Sequence, residues 1–115
     1  MTIQKISPKE LHERLRGNEK ITLLDVRAEE KYKDFHIVDP QIQSINIPKT
    51  NIFDLEETGE TSHLSLPKDQ EIVVSCTTGN SAAKCANILD SHDYKVIVLE
   101  GGLTAWKEYL KSVND

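Results

Sequence analysis

The chain has 115 residues, of which 37% are hydrophobic and 29% charged, and its formal net charge is -5. That length fits one domain spanning residues 1–115, and that balance fits a soluble globular chain and excludes a disordered one. The acidic surplus speaks against general affinity for nucleic acid or for an anionic membrane, since both are met mainly with Lys and Arg.

No apolar run approaches the roughly 20 residues that cross a bilayer. The start, Met1-Thr2-Ile3-Gln4-Lys5, has no apolar signal core, so a cytoplasmic setting is expected. The two cysteines, Cys76 and Cys85, do not suggest a disulfide framework, and with four scattered histidines they lack zinc-site spacing. No metal is expected. What remains is a reactive thiol, a buried structural thiol, or one of each.

In chain order, a short strand is expected near Ile3. Ser7-Pro8-Lys9-Glu10 reads as a helix start, with Ser at the N-cap, Pro in the first turn and Glu three residues after the cap. Leu11 and Leu15 share one face of that helix, and Gly17 closes it. Ile21 to Val26 is an apolar run and a strand, and Ala28 to Lys33 a short helix. Ser44 to Ile47 is a weaker strand. Ile52, Phe53 and Leu55 fit a short helix, and the polar residues 56–65, with Gly59, read as a surface loop.

Glu71 to Ser75 and Lys95 to Leu99 are again strands, and each precedes a helix, Ser81 to Ser91 and Leu103 to Leu110. The strands are continuous apolar runs and do not alternate, which suits a parallel sheet covered on both faces. Alternating strands and helices predict a three-layer α/β/α domain with a mainly parallel sheet of about five strands. The site in such a domain lies at the carboxyl ends of the strands.

The sharpest feature follows the strand Ile72-Val73-Val74. It reads Ser75-Cys76-Thr77-Thr78-Gly79-Asn80-Ser81-Ala82. A cysteine ends a buried strand, a loop of small polar residues follows, and a helix opens. Backbone N–H groups at a helix start have no intrahelical partner, and the helix dipole favours negative charge there. Gly79 can adopt a backbone conformation that lets these groups converge on one spot. Such donors would stabilise anionic sulfur and make a better nucleophile. A small buried hydrophobe is the competing role for such a cysteine.

The chain resembles the rhodanese family of single-domain sulfurtransferases along almost its whole length. Leu23-Leu24-Asp25-Val26-Arg27 looks like the family's early strand and its Asp-x-Arg. Phe35-His36-Ile37 and Ile45-Asn46-Ile47-Pro48 look like its His-Ile and Asn-Ile-Pro segments. Cys76 to Ser81 matches the active-site loop, and Leu99-Glu100-Gly101-Gly102-Leu103-Thr104-Ala105-Trp106 the closing Gly-Gly and Trp segment. The resemblance implies a sulfurtransferase that needs no cofactor. It would carry sulfane sulfur as a persulfide on Cys76, from a small donor or a partner protein's persulfide to a thiol or other thiophilic acceptor. The backbone of Thr77, Thr78, Gly79, Asn80, Ser81 and Ala82 would hold the anionic outer sulfur, which is oxyanion-hole logic applied to sulfur.

Two departures from the family pattern carry expectations of their own. Members that use thiosulfate commonly have an arginine at the loop's last position, where this chain has Ser81, and no residue from Cys76 to Ala82 is charged. A dianionic donor loses a bidentate partner, so weak use of thiosulfate is expected. The stretch Val38 to Gln43 is longer than the family's usual turn and is expected to reshape a loop near the site. Asp25 and Arg27 read as a structural ion pair or loop anchor beside the site, with donor contact as the lesser role. His36 and Trp106 read as structural, and Cys85 as core packing with a resolving thiol as the alternative. Competing functions are a non-catalytic rhodanese-like binding module and a phosphatase or arsenate reductase of related fold. Ser81 speaks against the last, which needs a loop arginine.

Overall fold

The computed structural model describes residues 3–55 and 66–113. The polar stretch 56–65, read above as a loop, lies outside them. The first helix, α1 (Pro8–Arg16), follows a two-residue strand β1 (Lys5–Ile6). The Ser7 hydroxyl accepts from the backbone N–H of Glu10 at 3.1 Å and donates to the Glu10 carboxylate at 3.2 Å, so the cap forms as the sequence demands. Next come β2 (Ile21–Asp25), α2 (Glu29–Asp34), β3 (Ile42–Asn46) and α3 (Lys49–Phe53). The chain then supplies β4 (Ile72–Ser75), α4 (Asn80–Ser91), β5 (Val96–Leu99) and α5 (Gly102–Val113).

The five strands form one sheet in the order β1-β5-β4-β2-β3, and every pairing is parallel. β2 and β4 are buried along their whole length, which accounts for their unbroken apolar sequences. One sheet face packs on α3 and α4 through Leu24, Val74, Val98, Ile52, Ala82, Ala86 and Leu89. The other packs on α1 and α5 through Leu23, Val73, Ile97, Leu11, Leu15, Leu103 and Trp106. This is the expected three-layer α/β/α domain.

The elements differ from expectation at their ends. β1 sits at Lys5–Ile6, two residues beyond Ile3. β3 begins at Ile42, two residues before Ser44. Its outer position leaves it half exposed, so its apolar residues mark it poorly.

The long stretch before β3 corrects one expectation. Gln41 N donates to the Asp39 carboxylate, and Ile42 N to the Asp39 carbonyl at 2.9 Å, closing a turn. Ile21 N, at the start of β2, donates to the Gln41 carbonyl. Residues 39–41 therefore lie at the amino ends of β2 and β3. In a parallel sheet that is the end opposite Cys76, and this turn does not shape the loop around it.

Candidate active site

The chain leaves β2 outward to β3, then returns to place β4 on the other side of β2. The strand order reverses between β2 and β4, and the residues after these two strands flank a crevice at the sheet's carboxyl end. Val26 to Ala28 follow β2, and Cys76 and Thr77 follow β4. A cleft of about 200 Å³ opens there, lined by Arg27, Lys31, Lys49, Cys76, Thr77 and Ser81 among others.

Cys76 is 4% exposed, with its neighbours Thr77 and Thr78 at the surface. Its Sγ accepts from the backbone N–H of Gly79 at 3.0 Å and of Ala82 at 3.3 Å. Gly79 makes this possible. It is the N-cap of α4 at φ 102°, in the left-handed region that side chains resist, and the chain turns there so that both donors face the sulfur. The opening of α4 thus turns two backbone N–H groups, those of Gly79 and Ala82, onto the thiol.

A second turn braces this loop. Leu103 N donates to the Cys76 carbonyl at 2.9 Å, and Thr104 N to the Thr77 carbonyl at 3.0 Å. The β5–α5 turn comes this close because Gly102, at φ 61°, has no Cβ. A Cβ there would stand 2.3 Å from the Cys76 carbonyl oxygen. The Gly-Gly pair therefore does more than join a strand to a helix: it fixes the cysteine loop from behind.

The loop residues divide. Thr77 and Ser81 line the Cys76 cleft. Thr78 and Asn80 line a separate hollow with Lys5, Glu100 and Gly101, so they do not add donors to the Cys76 cleft. Ala82 is fully buried and contributes its N–H.

Asp25 and Arg27 form the expected ion pair. Arg27 Nε donates to both Asp25 carboxylate oxygens at 3.0 Å, and Nη2 donates to Oδ2 at 2.7 Å. Arg27 Nη2 also donates to the Phe35 carbonyl. The Asp25 carboxylate accepts the backbone N–H of Arg27 as well. Asn46 Nδ2 donates to the carbonyls of Asp25 and Arg27, and Lys49 N to that of Val26. This network ties the ends of β2 and β3 into one rim of the cleft.

The cleft is not the uncharged place that the loop sequence suggests. Its loop side is neutral, but the opposite rim carries Arg27, Lys31 and Lys49. The lysines come from α2 and α3, and only the fold brings them to Cys76.

His36, Trp106 and Cys85 do not line the cleft. His36 stacks on Tyr32 at 4.0 Å between ring centres, and its Nδ1 is 2.8 Å from the Tyr32 carbonyl. Trp106 is buried in the α1–α5 core. Cys85 is fully buried one turn into α4, and no disulfide joins it to Cys76. Burial above all, and then the neighbouring Cys76, push its thiol up to about 12, so it stays protonated through the neutral range. That suits core packing and speaks against a resolving thiol.

Comparison with known proteins agrees with this fold. The family model "Rhodanese-like domain" matches residues 7–109. The chain belongs to the rhodanese-like domain family. It is 32% identical over 114 residues to the Bacillus subtilis protein named "Putative sulfurtransferase YtwF", covering 99% of this chain and all of that one. A rhodanese-related protein from Thermoplasma volcanium superposes with a TM-score of 0.71 at 28% identity, covering 92% of each chain. A domain within the NAD-dependent persulfide reductase from A. fulgidus matches with a TM-score of 0.62 and 34% identity, over 90% of this chain and 16% of that one. Among the described residues no helix is long and apolar enough to cross a membrane.

Proposed function

We propose that this rhodanese-like domain moves sulfane sulfur through a persulfide on Cys76. The observation that carries the reading is the convergence of the Gly79 and Ala82 N–H groups on Cys76 Sγ, at the mouth of the switch-point cleft. The Cys76 thiolate attacks the outer sulfur of a persulfide donor. The donor's S–S bond breaks, its thiol leaves with the proton, and a Cys76–S–S⁻ anion forms. An acceptor thiolate then attacks the outer sulfur and releases the Cys76 thiolate, with no net oxidation. The N–H groups around Sγ hold the anionic sulfur in both steps at little reorganisation cost. The likeness to a domain of a persulfide reductase supports a persulfide as donor. The chemistry needs a reduced thiol, which suits a cytoplasmic setting.

Thiosulfate is the weaker donor in this reading. Its double negative charge is spread over the outer sulfur and the three oxygens of the sulfur next to it, and it needs a fork of donors at the loop. Ser81 supplies one hydroxyl there, Arg27 already spends its guanidinium on Asp25 and Phe35, and Lys31 and Lys49 stand on the rim across from the loop, as point charges and not as a fork. Thiocyanate formation from thiosulfate and cyanide tests this. Ser81→Arg is expected to raise kcat/KM for thiosulfate about tenfold or more, the scale of one charged hydrogen bond. An unchanged or lower value would show that the loop arginine is not what limits the reaction.

A further inference from the structure

The cleft holds charges that the sulfur chemistry does not use. The chain carries 19 acidic against 14 basic residues. Yet the residues lining the Cys76 cleft include three cations, Arg27, Lys31 and Lys49, and no carboxylate. Arg27 is neutralised by Asp25 behind it. The two lysines have no such carboxylate partner among the described residues. Other lysines of this region are engaged: Lys33 pairs with Glu29 at 2.8 Å, Lys84 lies over Phe53, and Lys107 over Phe35. Lys31 and Lys49 have no ion pair or ring partner among the described residues. Both are exposed at the cleft, and the backbone N–H of Lys49 is tied to Val26 at 2.9 Å.

We infer that Lys31 and Lys49 select a small organic sulfur donor bearing a carboxylate, such as a cysteine-type persulfide. The inference rests on the persulfide reading of Cys76 and names the substrate class for that site. Two features point to a carboxylate a few bonds from the sulfur. The positive charge comes from α2 and α3, on the rim across from the uncharged loop that holds the sulfur. A cleft of about 200 Å³ also exceeds what a sulfane sulfur alone fills, since liquid water takes about 30 Å³ per molecule. A short tail with its carboxylate toward the rim would place its sulfane sulfur at Cys76 and its charge beside the two ammonium groups.

The test compares two donors that differ only in the carboxylate, cysteine persulfide and cysteamine persulfide, with cyanide as acceptor. For the wild-type chain KM is expected to be about tenfold lower for the cysteine form, and 0.5 M salt should shrink the difference by screening. In the Lys31→Gln/Lys49→Gln variant the ratio of KM values should fall to near one. Lys49→Glu should turn the preference toward the cysteamine form. Equal KM values in the wild type, or a preference that survives the double variant, would overturn the inference alone. No sulfur transfer from either donor would overturn the carrier reading and the inference with it.

Discussion

Gly102→Ala is expected to destabilise the fold by about 3 kcal/mol or more and to lower sulfur transfer in whatever protein remains folded. Two costs add. A side chain at φ 61° costs about 1–2 kcal/mol over glycine. The new Cβ would also stand 2.3 Å from the Cys76 carbonyl oxygen and 2.7 Å from that of Thr77, both backbone atoms that cannot swing aside. The β5–α5 turn must back away, and the bonds from Leu103 N to Cys76 and from Thr104 N to Thr77 stretch with it. At this chain length the melting temperature should drop by roughly 10 °C or more. Gly17→Ala is the control. Its φ is -81°, and the nearest atoms to an added Cβ are 3.5 Å away, so the melting temperature should hardly move. A wild-type melting temperature for Gly102→Ala would refute the bracing role of the turn.

Asp25→Ala has a comparable expected cost for a different reason. The carboxylate is 2% exposed, the Arg27 side chain 10%, and they meet at 2.7 Å. Removing the acid leaves a mostly buried guanidinium with the Phe35 carbonyl as its remaining partner. Breaking one side of such a pair costs about 3–5 kcal/mol. It also frees Arg27 N and loosens the rim that carries Lys49. Asp25→Asn keeps the shape and should fall between. The exposed pair Lys33–Glu29 is the contrast, since water and salt screen it, and Glu29→Ala should leave the melting temperature nearly unchanged. Thermal denaturation of the three variants decides. If Asp25→Ala melts like Glu29→Ala, the Asp25–Arg27 pair does not hold the strand ends.

Much of this was legible in the sequence because the burial is strong. β2 and β4 are covered on both faces, so Leu23-Leu24 and Ile72-Val73-Val74 announce themselves as central strands. The cysteine loop was legible because its parts are adjacent in sequence: a strand end, a left-handed glycine and a helix start. β3 was placed less well, because a half-exposed edge strand leaves a weaker pattern.

The lysines at the cleft were missed for a topological reason. Lys31 and Lys49 lie far from Cys76 in the chain, and only the pairing of β2 with β4, with Asp25 opposite Ser75, puts their side of the crevice next to the thiol. The direction of the parallel strands likewise moved the turn at Asp39 to Gln41 away from the site. The grip of Gly102 on the Cys76 carbonyl is a contact between distant segments, and the sequence marks it only as a Gly-Gly pair.

The central claim is that Cys76 carries the sulfur. Intact mass of the reduced chain, taken after exposure to an organic persulfide and desalting, tests it most directly. The wild type should gain the mass of one sulfur, lose it on addition of cyanide or a thiol, and show no gain in Cys76→Ala. Cys85→Ala, with the second thiol removed, should gain sulfur as the wild type does. A wild type that takes up no sulfur, or a gain that survives in Cys76→Ala, would contradict the account.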